Sequence, residues 1–157
     1  MSFEMLKKKL QKYLLIQWNK VKGCTVEEID VLEKKYNIQF PLFYKEFLLN
    51  MGKHSGNFLE EYTYNYDSLL DDLHTDSKNV LLANNIDIPN NAFFFLDYSG
   101  NQFACFLNEK NNDNPCVRFY YQDNGYKYFE TKSLYEFYLD TIHFYRNDVT
   151  MEELLKE

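Results

Sequence analysis

Phe93-Phe94-Phe95-Leu96-Asp97-Tyr98-Ser99-Gly100-Asn101-Gln102-Phe103-Ala104-Cys105-Phe106-Leu107 is the stretch from which the architecture of this chain is read. A short, strongly apolar run reaches Asp97, the polar quartet Tyr98-Ser99-Gly100-Asn101 turns the chain, and Phe103 to Leu107 answers it. Two apolar runs joined by turn residues predict a β-hairpin. Toward the C-terminus, the Asn- and Asp-rich segment from Asn108 to Pro115 is a loop. Val117-Arg118-Phe119-Tyr120-Tyr121 follows as a third strand, and Asp123-Asn124-Gly125 turns it back into Tyr126-Lys127-Tyr128-Phe129. The result is an antiparallel meander with aromatic residues on both faces. One face is expected against helices and the other partly open.

Helices surround this sheet in the sequence. Phe3, Leu6, Leu10, Tyr13, Leu14 and Trp18 recur every three or four residues and predict a helix from residue 3 to about 19, with Gly23 either ending it or sitting in the turn that follows. Thr25-Val26-Glu27-Glu28 is a capping box, in which the threonine hydroxyl and the glutamate carboxylate satisfy each other's backbone amides. The helix it opens should end near Lys35 or Tyr36. Pro41 suits the first position of the next helix, lined by Tyr44, Phe47, Leu48 and Met51 and closed by Gly52. Residues 58–66 alternate Tyr62, Tyr64 and Tyr66, a strand pattern with one aromatic face. Asp67-Ser68 starts a short helix through Leu73. Residues 75–91 read as polar and irregular, with Val80 to Ala83 either a brief strand or a helical turn. Ser133-Leu134-Tyr135-Glu136 and Thr150 with Glu153 cap two closing helices. The expected class is α+β: a central, mostly antiparallel sheet packed against helices. Residues 1–157 form one domain in this reading, with residues 1–22 an N-terminal helix packed on it.

Composition narrows the function. The chain carries 24 Asp and Glu against 17 Lys and Arg, a formal net charge of −7. Nucleic-acid binding needs a concentrated positive footprint, and the one dense basic run, Lys7-Lys8-Lys9 with Lys12, reads as the solvated side of the first helix. The acidity favours basic partners instead. Cys24, Cys105 and Cys116 cannot all pair within the chain, and no two have CxxC spacing, which suits a reducing compartment. No stretch has the length and apolarity of a signal peptide or membrane span, so the cytoplasm is the expected location and no membrane partner is expected.

Several segments resemble one family. Thr25 to Pro41 is similar to the opening helix and hydrophobic-Pro link of the SMI1/KNR4 family of the SUKH superfamily. Leu42 to Gly52 resembles its second helix, in which a tyrosine precedes an aromatic-leucine pair and a glycine closes. Phe93 to Phe106 resembles the central hairpin, Pro115 to Tyr120 the next strand, and Ser133 to Leu139 the closing helix. The turn Asp97-Tyr98-Ser99-Gly100 is wider than the family's usual Asp-Gly, and Lys53-His54-Ser55-Gly56 stands where a glycine-rich continuation is common. The resemblance implies a non-enzymatic binding domain. Many bacterial members look like immunity proteins that neutralise secreted polymorphic toxins, often nucleases, encoded beside them. Fungal relatives act as regulatory scaffolds, which is the alternative role; an enzyme of unrecognised type is the third.

No catalytic, cofactor or metal site is expected. His54, His74, His143 and the cysteines form no CxxC, HxH or HExxH unit. His54 beside Ser55 does not make a nucleophile and base, because adjacent residues do not face each other. Asp67, Asp71, Asp72 and Asp76 fit a solvated acidic loop better than a Mg²⁺ site. The candidate surface is a binding one: Tyr62, Tyr64 and Tyr66 run into those four aspartates, and Asp97 with Tyr98, and Asp123 with Tyr126, repeat the pairing of acid with tyrosine. Tyrosine buries area while keeping a hydrogen bond, and aspartates complement a basic partner such as a toxin domain. The partly open sheet is compatible with a monomer or a weak homodimer.

Overall fold

The computed structural model describes residues 2–156. Its elements in chain order are α1 (Phe3–Tyr13), a 3₁₀ turn at Trp18–Lys20, α2 (Val26–Tyr36), α3 (Leu42–Met51), α4 (Tyr66–Leu70), α5 (Leu73–Ala83), β1 (Ala92–Tyr98), β2 (Gln102–Leu107), β3 (Val117–Gln122), β4 (Tyr126–Thr131), α6 (Leu134–Tyr145) and α7 (Met151–Leu155). The four strands form an antiparallel meander in the order β1-β2-β3-β4. The α+β class and the meander stand as the sequence predicts.

Side chains alternate across a strand, so three consecutive buried phenylalanines need an explanation. A register shift between Phe94 and Leu96 supplies it: Phe94 pairs with Cys105 and Leu96 with Ala104, leaving Phe95 as the extra residue of a bulge. Phe95 then packs on Phe106 and on Phe137 of α6, at ring-centroid distances of 5.6 and 5.7 Å. This face of the sheet also meets α3, through Tyr44 against Phe106 at 5.1 Å, and α3 and α6 meet each other where Phe47 stacks on Tyr138 at 4.9 Å. The other face carries Phe94, Phe103 and Tyr120, and α5 packs along β1.

Local chemistry fixes the helix ends. Thr25 and Glu28 form the full capping box, with both hydrogen bonds near 3 Å. Thr150 and Glu153 do the same for α7. At α6, Ser133 caps the Glu136 amide, whereas the Glu136 carboxylate reaches one residue further back, to the Lys132 amide. Pro41 sits just before α3 as its cap residue, with Leu42 first in the helix. Gly23 is required by proximity: a Cβ there would lie 1.7 Å from the Leu49 carbonyl oxygen, where the segment 22–24 crosses the end of α3.

Three expectations are corrected. α1 ends at Tyr13, because Leu15 turns left-handed at φ 50° and the Asn57 side chain brackets the break. Asn57 accepts from the Gln17 amide and donates to the Leu14 carbonyl, replacing helical bonds with tertiary ones. The turn buries Ile16 and brings Trp18 over Lys7. Residues 58–65 form turns and no strand, and Tyr66 already opens α4: Phe58 and Leu59 are both buried, which breaks the alternation, and only Thr63 pairs, with Asp97. Residues 73–83 are helical and not irregular. Leu73, Ser77 and Leu81 bury one stripe against β1, overriding the weak helix propensity of Thr75, Asp76 and Asn79. Val80 to Ala83 thus belong to α5.

Candidate protein-binding surface

The chain segment that reverses at Thr63 organises the surface. Thr63 and Asp97 exchange backbone hydrogen bonds of 2.8 and 2.9 Å, which tether the loop after Leu59 to the outer edge of β1. At the same end of the sheet the β1–β2 turn closes through the Asp97 carboxylate, which accepts from the Gly100 amide at 2.7 Å. Ser99 and Gly100 both adopt positive φ there. Two grooves open on either side of this corner.

The first is acidic, with a volume near 600 Å³, and its lining includes Asp71, Asp72, Asp76 and Asp97 but no lysine or arginine. Asp71 and Asp72 come from the α4–α5 junction and Asp76 from the first turn of α5, where a carboxylate also favours the helix dipole. The junction is held by Lys35, whose ammonium donates to the carbonyls of Leu70 and Asp71. Burial, reinforced by the charge on Asp76, raises the Asp97 carboxyl above its ordinary range, while the Gly100 amide opposes the shift. None of the four carboxylates forms an ion pair among the described residues.

The second groove is larger, near 900 Å³, and mainly aromatic. It lies between β3–β4 and the second half of α6. Phe119 forms its floor, stacked on Phe129 at 5.3 Å and on Phe137 at 6.4 Å. Tyr62 and Tyr98 close one end, with their rings 5.4 Å apart. Asp97 and Tyr98, neighbours in the chain, therefore line different grooves.

The predicted residues thus fall into groups. Asp71, Asp72, Asp76 and Asp97 converge, and Tyr62 and Tyr98 pair beside them. Tyr64 turns inward: its hydroxyl accepts from the Ser55 amide at 2.8 Å and its ring edges Phe47. Tyr66 lies over Lys53, on the side where Lys53 and Glu28 form an ion pair of 2.7 Å, and Asp67 acts electrostatically on the same cluster. Asp123 is paired with Lys127 at the tip of the β3–β4 hairpin, and Tyr126 stacks on Phe103. Sequence reasoning did not single out Phe119, Phe129, Phe137 or Phe144, because their strand and helix periodicities are those of ordinary core positions.

The three histidines each hold a local hydrogen bond through Nδ1. Nδ1 of His54 accepts from the Gly56 amide, Nδ1 of His74 accepts from the Phe94 amide, and Nδ1–H of His143 donates to the Val149 carbonyl. Burial raises the Cys24 thiol to about 11 and the Cys105 thiol to about 12. Among the described residues no three His, Cys, Asp or Glu side chains gather as a metal site. No described helix is long and apolar enough to cross a membrane.

No curated protein and no solved structure matches the chain. The model of the SMI1 / KNR4 family (SUKH-1) matches residues 23–140, a span that runs from the glycine packed on α3 through the whole meander and into α6. The chain belongs to the SMI1 / KNR4 family (SUKH-1).

Proposed function

We propose that this protein is an immunity protein, which neutralises a secreted toxin in the cytoplasm by binding it and performs no chemistry of its own. The observation that carries this reading is the convergence of Asp71, Asp72, Asp76 and Asp97 on one groove without a balancing cation, beside an aromatic groove. Paired grooves of this kind supply the two parts of a protein interface. Unpaired carboxylates steer a basic partner and fix its orientation, and half-buried rings provide the contact area that releases water. The net charge of −7 extends the same attraction over the whole surface. A cationic toxin, such as a nuclease that must itself attract phosphate, matches this field, and occupying its substrate channel would stop it.

Titrating the purified chain with the toxin domain encoded beside its gene tests the reading, by calorimetry alongside the toxin's own activity. Saturable binding that abolishes activity and weakens as salt rises is expected. No saturable binding, or a gene neighbourhood without a secreted toxin, removes the proposal in favour of a scaffold for a housekeeping protein.

A further inference from the structure

The aromatic groove between β3–β4 and α6 contains a group that an apolar contact surface does not need. Phe137, Asp140 and Phe144 stand three and four residues apart on α6, so they share one helix face and all line the groove. Asp140 is half-buried in this aromatic setting. It has no hydrogen bond and no ion pair with a described residue, and burial followed by the charge of Glu136 holds its carboxyl above the ordinary range, against the opposing effect of His143. His143 does not neutralise it through Nδ1, since that N–H is committed to Val149. Glu61 lines the same groove, and no lysine or arginine does. In the same groove two rings stand in water, Phe129 at 46 % and Phe144 at 68 % exposure.

We propose that this groove receives an arginine side chain of the protein partner, its guanidinium on Asp140 and its plane against the rings of Phe129 and Phe144. The assignment rests on the neutralisation reading above and names the contact that anchors it. An apolar occupant would seal Asp140 away unpaired, which is costly, and an acidic one would be repelled by both carboxylates. A planar guanidinium satisfies both requirements at once: it binds a carboxylate in bidentate fashion and stacks on aromatic faces, where the ring quadrupole attracts a cation. A groove near 900 Å³ also has room for the residues flanking that arginine.

Amide chemical shifts of the full chain, followed while N-acetyl-arginine amide or its neutral isostere N-acetyl-citrulline amide is added, test the groove without any partner. Arginine should shift amides of β3, β4 and α6 at least about tenfold more tightly than citrulline, and Asp140→Asn should erase that preference. Equal effects of the two probes, or shifts confined to Asp71–Asp76, overturn the assignment. Phe144→Ala, at an exposed ring that folding does not require, should weaken arginine by several-fold and guards against misfolding of the first variant. With the toxin itself, Asp140→Asn should lose about thirtyfold in affinity. A toxin that binds wild type and Asp140→Asn equally overturns the arginine contact and keeps the neutralisation reading. A toxin that ignores the wild-type chain, while free arginine binds as expected, overturns the neutralisation reading and keeps the groove's selectivity.

Discussion

β1 and β4 are the two edges of the sheet, and both are built from aromatic residues. Ala92–Tyr98 holds Phe93, Phe94 and Phe95, and Tyr126–Thr131 holds Tyr126, Tyr128 and Phe129. On β1 the edge is closed. His74 accepts the Phe94 amide at 2.9 Å, Thr63 exchanges bonds with Asp97, and α5 lies over the strand. On β4 residues 127–130 are exposed, with Tyr128 at 50 % and Phe129 at 46 %. Edge strands invite pairing and must be covered or charged. Here one is covered by helix and loop, and the other is guarded by Lys127 and Glu130 at its surface. Aromatic content alone does not distinguish core from exposed surface; what covers each strand does.

Truncation should separate the two edges most sharply. Phe94→Ala removes a fully buried ring that meets Phe103 and Tyr120, and should cost about 3–5 kcal/mol in urea denaturation. Phe129→Ala should cost less than about 1 kcal/mol, and its effect should appear in partner binding. Equal losses at the two positions would break the contrast.

The closed edge also carries an acid-sensitive lock. His74 stacks on Phe93 at 4.7 Å, and burial, with Lys78 nearby, lowers its pKa from 6.5 to about 4. The folded state holds the ring neutral, so the unfolded chain binds the extra proton. Stability from this group is complete above pH 6.5 and is lost as pH falls toward 4, by about 2 kcal/mol once the ring's partial exposure is discounted. Urea melts should show this slope between pH 6.5 and 5, above the main carboxylate range, and His74→Asn should flatten it. An unchanged slope in the variant would place the edge closure elsewhere.

The difference between the edges also explains what could be read from sequence. Strands β1 to β4 were legible because their turns are local: Asp97 caps its own turn, and Asn124 and Gly125 take positive φ at φ 51° and 100°. The caps at Thr25 and Thr150 were legible for the same reason. The course of residues 58–66 was not, since Tyr62, Thr63 and Tyr64 are placed by partners far along the chain, at Tyr98, Asp97 and Phe47. α5 was hidden in the same way, because its helix depends on burial against β1. Four of the six predicted aspartates converge on the acidic groove through these long-range ties, whereas Asp67 and Asp123, adjacent in pattern, do not. Residues 1–22 precede the family match, yet Phe3, Leu6 and Leu10 are buried in the common core.

The open half should depend on how α6 is anchored. Ser133→Ala removes the acceptor of the Glu136 amide and should cost about 1 kcal/mol. Thr131 and Lys132 join β4 to this cap through the Ser133 carbonyl and the Glu136 carboxylate. Hydrogen exchange should therefore quicken in β3–β4 and α6 before it does in β1–β2. Uniform acceleration across the sheet would mean that the two halves open together.

The smallest effect is the most specific to the open side. Asp140 has a raised carboxyl pKa in the fold, so its ionised form is disfavoured there relative to the unfolded chain. The stability this group withholds grows as pH rises above the ordinary value of 3.8, and nothing is withheld below it. Asp140→Asn should accordingly stabilise the free protein by about 0.5 kcal/mol at neutral pH, and the gain should vanish on acidification. A stabilising substitution that weakens partner binding marks a charge kept for contact at a cost to folding. Loss of stability in this variant would instead assign Asp140 an internal partner, and would make α6 resemble the closed edge.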